Sequence, residues 1–291
     1  MGMCFGVRDA IRLAHRQAAT TPVTILGDLV HNEVVLRELR DAGVNLETQL
    51  DRVRTPTVMV TAHGASETRL GQIRERGFSV IEATCPLVHY AHRSLQQLVA
   101  QGAYPIVIGK AGHVEVIGMT EDLAEVSVIL SPEDLHQIPE RRLYGVVAQT
   151  TQPVDRVNRL VDQLRARFTA AEVRFVDTVC QPTKQRQAAA VSLANQCDVV
   201  IVVGGSASNN TRELVETCRR YCDRVHPVQT EHDLQPEWLW GATVVGITAG
   251  TSTPESSVRA VELRLNRFAG QMDSAAPSLE DESTVTHERE S

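Results

Sequence analysis

No apolar stretch of the 291 residues approaches the roughly 18–20 needed to span a bilayer; runs such as Val199 to Val203 are far shorter. Met1 to Ala10 lacks the apolar core of a secretory signal, so the expectation is a cytoplasmic protein with no membrane partner. A reducing compartment keeps thiols free, which argues against pairing any of the six cysteines as disulfides. No two glycines stand two apart, so GxGxxG is absent, and GxxxxGK[ST] is absent too. A dinucleotide or Walker-type phosphate site is therefore not signalled, and electrons for a redox reaction would have to come from another protein. Nor is there an excess of basic charge: the net charge is -7, which speaks against a nucleic-acid partner.

What is present fits a globular chain, with 42% hydrophobic and 22% charged residues, and the length suits two or three compact units. Residues 273–291 carry five of the seven net negative charges without periodicity or aromatics, and read as a disordered acidic tail.

The remainder is organised as a repeat. Cys4, Cys85 and Cys180 each precede a helical pattern: Val7, Ile11, Ala14 and Ala18 after the first; Leu87, Ala91, Leu95 and Leu98 after the second; Ala188, Val191 and Ala194 after the third. Pro86 and Pro182 sit where a first helical turn accepts proline. About 20 residues on comes a buried-strand pattern, at 23–26, 105–108 and 199–203, followed by a polar, glycine-bearing loop. A further helix and a second strand-plus-loop unit follow, at 58–66, 144–152 and 243–255. The cysteines lie 81 and 95 residues apart, which sets the module length. The fold class is thus α/β: three pseudo-repeated lobes, 1–84, 85–179 and 180–272, with mainly parallel sheets. Ligands collect beyond the carboxyl ends of parallel strands, where all six polar loops would lie, so the lobes are expected to converge on one pocket.

A single cysteine is ordinarily a small buried residue. Three at equivalent helix starts, where unpaired N–H groups and the helix dipole favour thiolates, point instead to a metal. Three thiolates leave the fourth position of a cubane iron–sulfur cluster open; a zinc site completed by His63 or His113 is the alternative. Cys218 and Cys222, four apart on a helical pattern with Leu214, read as a core-facing stripe, and Cys197 as packing. The loops hold His31-Asn32, His63-Gly64, His113 with Glu115, Gln149-Thr150-Thr151, Ser208-Asn209-Asn210 and Thr251-Ser252. Neutral donors of this kind, with helix N-termini, suit a phosphate or diphosphate, and Glu115 becomes a proton donor if a dry pocket raises its pKa.

The segments MCFGVRDAI, VHNEVVLREL, TAHGAS, EATCPLV, GHVEV, QTT, DTVC with QRQ, GGSASNN and TAGTSTPE occur in one order across residues 3 to about 267. In these the chain resembles the LytB family of 4-hydroxy-3-methylbut-2-enyl diphosphate reductases. The resemblance implies a [4Fe-4S] cluster on Cys4, Cys85 and Cys180 at the centre of the three lobes. It also implies an allylic diphosphate substrate held by His31, His63, His113, Ser208, Asn209, Asn210 and Ser252. Glu115 and Thr150 would manage the proton near the substrate hydroxyl, with His113 beside them and Thr183 as a further pocket threonine. The activity implied is reductive dehydroxylation to isopentenyl and dimethylallyl diphosphate, with ferredoxin or flavodoxin as electron donor. The other readings are a non-redox iron–sulfur lyase of the quinolinate-synthase type and a non-catalytic metal or redox sensor. The chain departs from the family's usual pattern at Met3, Val114, Pro182 and Asn209, where phenylalanine, proline, alanine and serine are usual.

Overall fold

A computed structural model describes residues 2–275. Most of the expected acidic tail, 276–291, lies outside the described residues, but 273–275 belong to the last helix and not to the tail. Three separate, wholly parallel sheets carry the fold. The first contains β1 (Val23–Leu26), β2 (Asn45–Glu47), β3 (Thr57–Val60) and β4 (Ser79–Glu82), in the order β2-β1-β3-β4. The second repeats that order with β5 (Tyr104–Ile108), β6 (Ser127–Ile129), β7 (Leu143–Ala148) and β8 (Glu172–Phe175), as β6-β5-β7-β8. The third has three strands, β9 (Val199–Val203), β10 (Val225–Val228) and β11 (Val245–Ala249), ordered β10-β9-β11.

In each sheet the first strand lies between the second and third, so the crossovers leave it in opposite directions and open a crevice at the carboxyl ends. Helices cover both faces, and the central strands alternate between two cores. Ile106 and Ile108 face one cluster while Val107 faces the other; Val199, Ile201 and Val203 face one while Val200 and Val202 face the other. This two-sided burial is why the central strands are unbroken β-branched runs. The outer strands are short and half-exposed, as in the pattern of β4 and β8, and left no such run in the sequence.

Helices α1 (Phe5–Ala18), α4 (Pro86–Ala100) and α7 (Gln181–Ala194) each begin directly after a cysteine of the repeat, with Cys4, Cys85 and Cys180 as their N-caps. Helices α2 (Glu33–Asp41), α5 (Val114–Thr120) and α8 (Asn209–Arg219) each follow the first strand of a sheet. The crossovers from β3 to β4 and from β7 to β8 carry α3 (Glu67–Glu75) and α6 (Val154–Arg167), and α9 (Glu255–Ala275) ends the described chain. Cys218 is buried in the core with Leu214 and Ala190, as the stripe reading requires. Cys222 lies just past α8, which stops at Arg219, but its N–H still donates to the Cys218 carbonyl at 3.0 Å and it is buried in the same core, in line with the stripe. Among the described residues no helix is long and apolar enough to cross a membrane.

Specific contacts join the sheets pairwise. The Asp122 carboxylate, after α5, accepts from the N–H groups of Glu67 (2.7 Å) and Thr68 (3.0 Å) at the start of α3. Arg156 of α6 meets Glu213 of α8 at 2.6 Å. Gly205, after β9, lies so close to the turn after β1 that a Cβ there would stand 2.4 Å from the His31 carbonyl oxygen. Gly205→Ala is therefore expected to destabilise the fold by about 1–3 kcal/mol, because backbone on both sides must move. Gly270→Ala, in the exposed run of α9 with nothing within 4 Å, is expected to stabilise by about 0.5–1 kcal/mol. Urea unfolding of the two variants checks the contrast; equal midpoints would refute the close approach.

Candidate functional site

Each cysteine of the repeat is fixed by the same backbone hydrogen bond. Cys85 N–H donates to the Ala62 carbonyl after β3, Cys180 N–H to the Thr150 carbonyl after β7, and Cys4 N–H to the Thr251 carbonyl after β11, all at 3.0 Å. Each acceptor lies two residues beyond the third strand of its sheet. Cys85 and Cys180 thus dock on the sheet that precedes them in sequence, and Cys4 docks on the last sheet, closing a ring through the chain's first residues.

The ring encloses a cavity of about 90 Å³ lined from all three sheets. Cys4, Cys85 and Cys180 line it, with His31, His63, His113, Glu115, Thr150, Ser208, Asn209, Asn210 and Ser252. Thr183 does not line it: the side chain is fully buried behind Cys180, its hydroxyl 3.1 Å from that sulfur. The apolar wall, Phe5, Val7, Val30, Leu87, Val88 and Pro182, escaped the sequence reading. Its signal was the two or three residues after each cysteine, which face the cavity because the cysteines cap the helices.

The helix starts α2, α5 and α8 reach the same place through the N-caps Asn32, His113 and Ser208, whose side chains accept from the first-turn N–H groups. Together with α1, α4 and α7, six helix N-termini face the site, and their partial positive charge favours an anionic occupant. His31 and His63 stack at 4.3 Å between ring centroids, and His113 stands edge-on to them at 5.4 and 5.7 Å. His113 Nδ1 accepts from Glu115 N–H at 3.1 Å, which leaves the proton of the neutral ring on Nε2. Burial, with the neighbouring imidazoles, pushes His63 well below the usual range and His113 down to about 4, so both are neutral at pH 7. Asn210 Nδ2 and Ser252 Oγ are buried without hydrogen-bond partners, and His31 Nδ1, also buried, faces the Asp28 carboxylate at 3.7 Å. Buried polar atoms are ordinarily satisfied, so this set fits a polar ligand.

All three thiols are free. Sequence reasoning expected the helix starts to produce ready thiolates. Burial outweighs that effect: it raises Cys85 and pushes Cys180 up to about 11, although nearby N–H groups act the other way. Among the described residues no three His, Cys, Asp or Glu side chains gather around a single-ion position. The three sulfurs share the wall of one cavity, and thiolates are ligands of zinc and of iron–sulfur clusters alike.

Glu115 is buried, and its Oε1 accepts from Thr150 N–H at 2.6 Å. Thr150 therefore bonds Glu115 through its N–H and Cys180 through its carbonyl. Burial raises Glu115 from 4.5 to about 7, against the opposing hydrogen bonds from Thr150. Such a shift corresponds to about 3 kcal/mol. The raised pKa stabilises the fold fully below 4.5, and that stabilisation is lost as pH rises through about 7. His113 acts in the opposite sense, stabilising above 6.5 and losing this as pH falls towards about 4. In the ligand-free chain, Glu115→Gln should gain stability relative to the parent between about pH 5 and about pH 8, by up to about 3 kcal/mol. Urea midpoints at the two pH values measure it, and a difference independent of pH would contradict the burial argument.

The profile of the LytB protein family matches residues 1–266. A relative from Geobacter metallireducens, 4-hydroxy-3-methylbut-2-enyl diphosphate reductase, is 34% identical over 279 residues, covering 95% of this chain and 97% of its own. The solved structure of E-1-hydroxy-2-methyl-but-2-enyl-4-diphosphate reductase from Plasmodium falciparum superposes with a TM-score of 0.83 at 27% identity, covering 95% of this chain and 86% of that one. A second solved structure, of (E)-4-hydroxy-3-methyl-but-2-enyl diphosphate reductase, described as the terminal enzyme of the non-mevalonate pathway, gives 0.66 at 33% identity over 91% of this chain and 96% of that one. With sequence similarity running nearly end to end and the three-sheet fold shared, the chain belongs to the LytB protein family.

Proposed function

We propose that the chain reduces 4-hydroxy-3-methylbut-2-enyl diphosphate to isopentenyl and dimethylallyl diphosphate, taking up two electrons and two protons and releasing water. The observation that carries this reading is one cavity holding three free thiols, three imidazoles and a buried carboxyl of raised pKa. The names of the relatives support the substrate and the chemistry. The reaction belongs in the cytoplasm, with ferredoxin or flavodoxin as the electron donor and the lobes divided near 84/85 and 179/180.

Cys4, Cys85 and Cys180 would hold a [4Fe-4S] cluster, which when bound supplies one-electron transfer and an open Lewis-acidic iron. The rest of the work falls to the chain. His113 donates from Nε2, and His31, His63, Ser208, Asn209, Asn210 and Ser252 surround the diphosphate with donors and helix N-termini. Asn209, which stands where the family usually has serine, also donates to Thr151 at 3.1 Å, tying α8 to the loop after β7. Glu115 Oε1 is committed to Thr150 N–H, so the carboxyl proton sits on Oε2 and is available to the leaving hydroxyl. Thr150 orients that hydroxyl, and Thr183 acts from behind Cys180. The apolar wall keeps water from the allyl group.

Anaerobic reconstitution with iron and sulfide, followed by turnover of the hydroxymethylbutenyl diphosphate with a reduced dye, tests the reading; an intact cluster without product rejects it. Glu115→Gln should keep the cluster's visible absorption and lose roughly 10²- to 10⁴-fold in turnover. Survival of more than about a tenth of the activity would remove Glu115 from the acid role. Inorganic diphosphate should bind with proton uptake at about pH 7, because an anion raises the depressed pKa values of His63 and His113. Calorimetry in two buffers of different ionisation enthalpy measures this, and buffer-independent heats would place the anion away from these rings.

A further inference from the structure

Arg186 of α7 is half-buried, and its guanidinium forks between two segments that are otherwise far apart in the chain. Nη1 donates to the Ala249 carbonyl at the end of β11 at 2.5 Å, and Nη2 donates to the Gly2 carbonyl, two residues before Cys4. The fork thus ties three pieces together: the helix capped by Cys180, the last strand of the third sheet, and the short N-terminal arm. That arm has one other backbone tie in the same place, Cys4 N–H to the Thr251 carbonyl. A lysine could not reproduce the two-pronged geometry.

The charge of Arg186 is as distinctive as its hydrogen bonds. A guanidinium withdrawn from water is normally paired with a carboxylate, because an uncompensated buried charge is costly. Here the hydrogen-bond partners of the guanidinium are two backbone carbonyls, neutral acceptors that leave its charge uncompensated. The ionisable groups whose charge bears on Arg186 are the thiols of Cys4 and Cys180, and their ionisation favours its cationic form against burial. Its place follows from the hydrogen bonds: the guanidinium sits on the Gly2 carbonyl, two residues before Cys4, and on the Ala249 carbonyl, two residues before the Thr251 carbonyl that accepts from Cys4 N–H.

We propose that Arg186 is a positioning residue with two linked tasks: it clamps the Cys4 arm onto the third sheet, and it is the built-in countercharge of the centre that Cys4 and Cys180 hold. The electrostatic half rests on the cluster reading given above; the clamp does not. A [4Fe-4S]²⁺ core with three thiolates carries one net negative charge and gains another on one-electron reduction, so a fixed neighbouring cation favours the reduced form. Arg186 thereby raises the reduction potential and eases electron entry without touching the substrate.

The full chain and its Arg186→Lys and Arg186→Gln variants test both halves. Before reconstitution, hydrogen exchange into the peptide spanning residues 2–8 is expected to be at least about tenfold faster in Arg186→Gln than in the parent, with the β7 peptide 143–148 unchanged. Equal exchange at 2–8 overturns the clamp. After reconstitution, the midpoint potential is followed by EPR-monitored titration. Arg186→Gln should titrate at a lower potential than the parent, and Arg186→Lys, which keeps the charge, should be restored towards the parent value. A parent-like potential in Arg186→Gln, or equal displacement in both variants, overturns the countercharge. If the parent chain takes up no iron, the reductase reading fails with the countercharge, while the exchange measurement still decides the clamp.

Discussion

The structure depends on one backbone hydrogen bond made three times. A cysteine N–H meets the carbonyl two residues past the third strand of a sheet, at Ala62, Thr150 and Thr251. Cys85 and Cys180 meet the sheet before them and Cys4 meets the last, so three α/β units in series become a ring. The bond does more than hold a position. It places each sulfur at the start of a helix whose N–H groups are unpaired, and it turns the first residues of α1, α4 and α7 into the cavity's apolar wall.

Electrostatics within that ring are settled by a contest between burial and dipoles. Six helix N-termini favour negative charge, yet burial drives Cys180 and Glu115 towards their protonated forms and His63 and His113 towards neutrality. The protein therefore holds a site poised for an anion without carrying much charge of its own. Arg186 is the counterpoint, a fixed cation held on the Ala249 and Gly2 carbonyls beside the Cys4 arm. The tautomer of His113 is fixed by a hydrogen bond, because its Nδ1 accepts from the α5 backbone.

Much of this was legible in the residues. The VVIVV run of β9 and its counterparts in β1 and β5 could be read because two-sided burial demands continuous β-branched residues. The cysteine-then-helix setting could be read because proline and apolar spacing mark helix starts locally. Strands β2, β4, β6, β8 and β10 could not, since short half-exposed strands have neither pattern; nor could the true end of α8 before Cys222. Thr183 was assigned to the pocket by likeness alone, and its hydroxyl faces the Cys180 sulfur instead. The ionisation of Cys85 and Cys180 was misjudged because the sequence displays a helix start but not the depth at which it is buried.

Local order in the chain determined the alternation of strands and helices, the three cysteines at helix starts, and the polar loops at strand ends, because each follows from spacing and short-range sterics. Tertiary structure alone decided which sheet holds which cysteine, and that the ring closes through Cys4 on Thr251 and Arg186 on Gly2. Those partners are more than 180 residues apart, and nothing in the sequence of either end encodes the other. Burial depth was decided at the same level, and with it the direction in which His63, Cys85, His113, Glu115 and Cys180 are shifted, since desolvation depends on what the whole fold packs around a group and not on its neighbours in sequence.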